Sequence, residues 1–339
     1  MENLLCNEVW LMTPDNGQEN GGSSNANANV ESSLFLSKED CEEALGVFLG
    51  KEATYMPQPP YFQLLNANGF LRNARFKSVT WLLKSQRRMN LCRGTVFIAV
   101  NYLDRFVSVT HECREWKQYW MFELLSVACL SVASKFNETT MNLQLHEFQV
   151  EGDLEKCFDP GLIQRMELRL MKALGWRMDS TTPFSYIDIL IHSIHHALNK
   201  SVVHDFTQRV NELLLAALLD PKFLEFRQCV VAISAVKRAF EELSPSIDIA
   251  SLALLDNVVP QDQKDDLIKC GRIMGKLLSV QDHDNMLVCA NSWHSSPSSP
   301  VTVLKAECFN FDDYQVENIS LDLGSGIRKR KWEEPEFGL

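Results

Sequence analysis

The sequence predicts an all-α chain built as two successive five-helix units, with one helix ahead of them and a disordered arm at each end. Three observations carry this. Apolar residues recur at three- and four-residue spacing from Leu71 to about residue 280, the period of a helix that buries one face. Short polar turns separate the periodic segments, and no alternating strand-like pattern competes with them. Finally, Met121 to Phe136 (MFELLSVACLSVASKF) is apolar on every side, which a helix tolerates only when other helices surround it. Its small residues, among them Ser126, Ala128, Cys129, Ser131, Ala133 and Ser134, let those neighbours approach, and a buried serine returns its proton to the carbonyl one turn back. At about 1.5 Å per residue the stretch spans roughly 24 Å, too short and too serine-rich for a membrane span.

Composition bounds the function. With 339 residues, 45% of them hydrophobic, the chain has material for one or two helical domains plus tails. A formal charge of -11 argues against general affinity for nucleic acid or anionic lipid, which requires a surplus of Lys and Arg on one face. The ten cysteines form no CxxC pair, so neither a disulfide framework nor a zinc site is expected, and reduced thiols in cytosol or nucleus follow. No basic segment leads into an apolar run at the N-terminus, so no secretory signal is expected.

Residues 1–36 are rich in Asn, Gly, Ser and Glu and read as a disordered arm. Ser37 is a suitable cap for a first helix, SKEDCEEALGVFLGKE, in which Glu39 and Asp40 favour the positive end and Ala44, Phe48 and Leu49 form a narrow apolar edge; Pro57, Pro59 and Pro60 then stop it. Five helices follow at 72–87, 93–108, 117–136, 142–150 and 160–173, with Gly175 as a C-terminal stop. The first unit, with its leading helix, is thus 37–176. Thr182 and Pro183 open the second unit, 177–282, as cap and first-turn proline. Ile187 to Ile194, Phe206 to Ala217 and Val230 to Phe240 mark its longer helices, and short elements near 248–255 and 261–279 complete it. Two units of similar size suggest a duplication. Residues 283–339, rich in Ser, Pro and acids and carrying a basic cluster, read as a disordered tail.

A search for chemistry of the chain's own returns little. Gly324 and Gly326 lack the flanking strand and helix of a phosphate cradle. His192, His195 and His196 share a helical face without further metal ligands, and Glu241, Glu242, Asp265 and Asp266 suit solvated helix ends. No catalytic residue, metal or cofactor is expected. The chain reads as an interaction protein.

Certain fragments carry a family signature. TVFIAVNYLDRFVS (95–108), ACLSVASKFNE, RMELRLMKALGW and TTPFSYID stand in the order and spacing of the cyclin box and of a second cyclin fold. The chain resembles the cyclins, and among them the plant D-type cyclins, through KEATYMP ahead of the box, SKFNE, and LLCNE near the N-terminus. The resemblance covers about 37–280 and implies two tandem cyclin folds. It implies a regulatory subunit that activates a cyclin-dependent protein kinase and promotes passage from G1 into S phase. On residue chemistry alone, Lys135 suits the negative end of its helix and Glu167 a solvated helical surface; the resemblance instead assigns both to the kinase contact. It makes Arg75 and Asp104 a buried ion pair, places Leu124 in the core, and keeps Trp81 of the substrate-docking groove. Ser78 replaces a leucine of that groove and Thr80 an aspartate common in the box, and Glu123, at a groove position, remains to attract basic residues.

Leu4, Cys6 and Glu8 fit LxCxE, through which D-type cyclins recruit retinoblastoma-type pocket proteins; in an extended chain the three share one face. Ser296 and Ser299 precede prolines and suit proline-directed kinases, and Arg328, Lys329, Arg330 and Lys331 suit a nuclear-import signal. The partners expected are therefore a cyclin-dependent kinase, a retinoblastoma-related protein and kinase inhibitors, in the nucleus and also the cytoplasm, with no direct nucleic acid and no membrane. A twin-fold DNA-binding factor is the rival reading, disfavoured by the acidic balance, and a helical enzyme is the third.

Overall fold

The computed structural model describes residues 38–111, 118–139, 154, 157–194, 200–243, 255–256, 258–277 and 303–304. Ser37, the arm with Leu4, Cys6 and Glu8, the helix expected at 142–150, most of that near 248–255, His195 and His196, and the tail with Ser296, Ser299 and Arg328 to Lys331 lie outside them.

The chain begins with α1 (Lys38–Glu52), whose Cys41 is buried and whose Leu45, Phe48 and Leu49 pack against the core. A short helix not expected from the sequence, α2 (Tyr61–Ala67), follows the prolines at once. Its reason is tertiary: Leu65 and Tyr61 are buried, and the Tyr61 hydroxyl donates to Asp104 Oδ1 at 2.9 Å. α3 (Gly69–Arg88) starts three residues earlier than the apolar period suggests, because Asn68 caps it, its Oδ1 accepting from the amides of Phe70 and Leu71 at 3.1 and 3.2 Å. α4 (Arg93–Thr110), α5 (Tyr119–Asn137) and α6 (Pro160–Ala173) complete the described part of the first unit.

α5 is the hub. It packs against α3, α4 and α6, and Leu124, Leu125, Val127, Ala128, Cys129, Leu130 and Ala133 have no solvent exposure. Each buried leucine contributes about 1.5–3 kcal/mol relative to exposure. The hydroxyls of Ser126 and Ser134 donate one turn back, to Phe122 O at 2.6 Å and Leu130 O at 2.8 Å.

The second unit comprises α7 (Ile187–Ile194), α8 (Lys200–Leu219), α9 (Gln228–Leu243) and α10 (Lys264–Met274). Thr182 and Pro183 open a 3₁₀ turn, Pro183–Tyr186, ahead of α7. Another 3₁₀ turn, Gln261–Gln263, precedes α10, which is shorter than the 261–279 expected. Here α9 takes the place that α5 has in the first unit: it packs against α7, α8 and α10, with Ala232, Ile233, Ala235, Val236 and Ala239 fully enclosed. The sequence suggests no strand, yet Cys157–Phe158 pairs in parallel with Val303–Leu304. That two-residue ladder is the whole of the sheet structure among the described residues.

Polar bonds stitch the units together. Arg75 Nη1 donates to Leu218 O at 3.1 Å, and Arg105 Nη1 to Arg177 O at 3.0 Å. Glu52, at the end of α1, is completely buried; its carboxylate accepts from the Tyr186 hydroxyl at 2.9 Å and the Cys229 amide at 3.0 Å, capping the start of α9. Arg227 lies 3.6 Å away. Burial first, then the Glu52 charge, pushes the Tyr186 hydroxyl and the Cys229 thiol far above their ordinary pKa values.

Candidate functional site

Lys135 stands in the last turn of α5 and Glu167 in the middle of α6. Lys135 Nζ donates to both carboxylate oxygens of Glu167, at 2.8 and 2.7 Å. The pair is asymmetric: the lysine side chain is 56% exposed and the glutamate 7%. Glu167 is therefore no solvated surface charge. A carboxylate this deeply buried requires a cation or several donors, and Lys135 supplies the cation.

The residue that follows each member of the pair in the chain is apolar and faces solvent. Phe136, next to Lys135, is 63% exposed, and Leu168, next to Glu167, is 41% exposed. Trp176, 61% exposed, follows α6 and is aimed by the turn that ends it. There Gly175 adopts φ +61°, its amide bonds Lys172 O at 3.0 Å, and the Trp176 amide reaches back to Met171 O at 2.9 Å, a Schellman closure. Trp176 itself has φ +61°, a conformation costly for a side chain with a Cβ. Large apolar groups left in water on neighbouring positions of α5, α6 and the turn after it mark a candidate interaction surface. Sequence periodicity does not single out Phe136, Leu168 and Trp176, since it finds only buried faces; their signal is that they break the apolar-in pattern.

Behind this face the other residues singled out serve the frame. Arg75 and Asp104 form a buried bidentate pair, Nε to Oδ1 at 2.7 Å and Nη2 to Oδ2 at 2.9 Å, which ties α3 to α4. Burial alone lowers the Arg75 pKa, but Asp104 outweighs it and the guanidinium is held more firmly charged than usual. Desolvation, then Asp104, keeps the Tyr61 hydroxyl protonated. Leu124 is in the core. Trp81 is buried, and its indole Nε1 has no hydrogen-bond partner among the described residues. Ser78 and Thr80 are buried as well. Nearby, Lys77 Nζ sits 4.2 Å above the Tyr119 ring, and Asn73 Nδ2 donates to the Tyr119 hydroxyl at 3.1 Å. Phe70 packs on Tyr119 at 4.6 Å.

Periodicity also passes over Asn137 and Glu138, which close SKFNE. Glu138 Oε1 accepts from the Cys92 amide at 2.8 Å and from the Thr95 hydroxyl, and Asn137 Nδ2 donates to Thr95 Oγ1 at 2.8 Å. Glu138 thus takes up the Cys92 amide at the start of α4, and the Thr95 hydroxyl links it to Asn137. His192 lies against Cys41, Nδ1 to Sγ 3.6 Å. Glu242 is gripped by Arg209 and Arg238 and its carboxyl is held below the usual range, chiefly by the Arg209 hydrogen bond. Among the described residues no group of three His, Cys, Asp or Glu is placed to hold a metal ion, and no helix is long and apolar enough to cross a membrane.

Comparison with known proteins places this architecture. Residues 43–179 match the cyclin N-terminal domain. Among solved structures, a viral cyclin from herpesvirus saimiri superposes with a TM-score of 0.50 at 13% identity, covering 62% of this chain and 88% of that one. Cyclin-D2-2 of Oryza sativa subsp. japonica is 32% identical over 80% of this chain and 73% of its own length. Cyclin-D4-2 of the same organism is 31% identical over 85% and 76%, and Cyclin-D3-1 of Arabidopsis thaliana 30% over 72% and 65%. The chain belongs to the cyclin family. Its named relatives are plant D-type cyclins, and with that family goes a regulatory, non-catalytic role in the cell cycle.

Proposed function

We propose that this chain is the activating subunit of a cyclin-dependent protein kinase, which it holds through the face around Lys135 and Glu167, and that it brings that kinase a retinoblastoma-related protein. The observation that carries the reading is the buried Glu167 paired to an exposed Lys135, each followed in the chain by a solvent-facing apolar residue, Phe136 and Leu168. Such a surface offers a donor and an acceptor for a partner's backbone inside an apolar rim. A kinase is active only when its regulatory helix brings a glutamate to the phosphate-binding lysine and the activation loop is ordered. A rigid body that binds the helix in that position shifts the population toward it, by no more than its differential affinity. The phosphoryl transfer is the kinase's; this chain supplies position.

In this reading the arm 1–36 presents Leu4, Cys6 and Glu8 to the pocket protein, 37–176 holds the kinase and 177–282 braces it. The tail 283–339 carries Ser296 and Ser299 for control and Arg328 to Lys331 for nuclear import. Phosphorylation of the recruited repressor promotes the G1/S transition, and kinase inhibitors act on the same complex.

The mutual pairing makes a clean test available. The double variant Lys135→Glu with Glu167→Lys keeps an ion pair between α5 and α6 while reversing what a partner meets. It is expected to stay folded and to lose co-purification with the kinase at least tenfold; an undiminished complex would sink the interface. In the same pull-down Cys6→Gly should lose the pocket protein and keep the kinase.

A further inference from the structure

Between the two helical units lies a groove of about 530 Å³ that the kinase reading leaves unused. Gly69, Arg72, Asn73 and Phe76 line it from α3, opposite Leu219 of α8, and Leu277, just past α10, closes one end. These four fall at helical spacing, so one stripe of α3 faces the groove, and Arg75, the fifth α3 residue in the wall, gives its charge to Asp104. Its floor is apolar, with Phe76 and Leu277 half-buried and Leu219 buried. Its rim is cationic, with Arg72 and Lys276 exposed. Arg72 spends its hydrogen bonds on neutral carbonyls, those of Leu65 at 3.2 Å and Asn66 at 2.7 Å. Asp220, the one carboxylate in the wall, is already engaged by Lys222, accepting from its amide at 3.0 Å and lying 3.7 Å from its ammonium. The rim thus carries uncompensated positive charge over an apolar floor.

We propose that Asp282 to Val288 of this same chain dock in this groove. The chain leaves the second unit at Leu277, itself a wall of the site. The next residues, Leu278 to Gln281, are as many as a reversal of direction usually takes. The sequence then reads Asp282-His283-Asp284-Asn285-Met286-Leu287-Val288: two carboxylates for Arg72 and Lys276, followed by three apolar side chains for Phe76 and Leu219. Extended, seven residues reach about 23 Å, ample for a groove of this volume. So short a tether gives an effective concentration on the order of millimolar, so that a weak intrinsic affinity keeps the site filled. Docking neutralises the rim and covers the seam between the units. It does not depend on the kinase reading.

The test uses the full chain without a kinase. Phe76→p-benzoylphenylalanine places a photocrosslinker in the floor; irradiation followed by peptide mass spectrometry is expected to join it mainly to residues 280–290. Asp282→Lys with Asp284→Lys should cut that adduct at least fivefold. Adding Arg72→Glu and Lys276→Glu should restore it, which also shows that the charge variants fold. Adducts dominated by other segments, an adduct at twice the chain mass, no adduct at all, or a yield indifferent to the charge reversals would each overturn the proposal.

Discussion

Asp104 accepts from Arg75 through both carboxylate oxygens and from Tyr61 through one, so three helices meet on a single buried side chain. Asp104→Asn keeps the shape and removes the charge, leaving the Arg75 guanidinium buried without a counter-ion. Breaking one partner of a buried pair costs about 3–5 kcal/mol, whereas Tyr61→Phe, which removes one hydrogen bond to a charged group, should cost about 1.5–3 kcal/mol. Denaturant unfolding of both variants checks the order; equal losses would mean that the hydrogen bonds matter and the charge does not. The family signature brought Arg75, Asp104, Lys135 and Glu167 forward as residues. Glu52 and Glu138 stayed hidden because each stands at a helix end where a solvated charge is ordinary, and their partners come from distant segments: Glu52 binds Cys229 across 177 positions. A buried carboxylate looks the same in sequence as a solvated one.

Among the described residues helices were legible wherever apolar spacing persisted, and α5, identified by its all-round apolarity, is the hub of its unit. Their ends were less legible, since caps such as Asn68 extend a helix beyond its last buried residue. α2 was missed because seven residues after a proline run carry too little periodicity, and tertiary burial of Tyr61 and Leu65 holds it instead. The turn ending α6 is the element most open to a single change. Gly175→Ala forces a Cβ into φ +61° and should destabilise by about 1 kcal/mol. If the reorientation reaches Trp176, indole fluorescence shifts too; an unchanged melting temperature would show that the turn has another way to close.

At the scale of the molecule, the two units share one continuous apolar core, and Glu52 pins α1 to the second of them. Glu52→Ala removes the acceptor for both the Tyr186 hydroxyl and the buried Cys229 amide at the start of α9. It is expected to cost about 3–6 kcal/mol by loss of two charged hydrogen bonds and to loosen α1 before the rest. Hydrogen exchange should then show residues 38–52 opening ahead of α5 and α9; uniform loss of protection would show that α1 is held by its apolar edge instead. The same clasp sets an order on synthesis. α1 leaves the ribosome early, but what receives its carboxylate is made 134 and 177 residues later. At about 5–20 residues per second the wait for Cys229 is roughly 9–35 s. Until then the first helix carries a bare acidic end, and a chain released before its second half is made cannot fasten it.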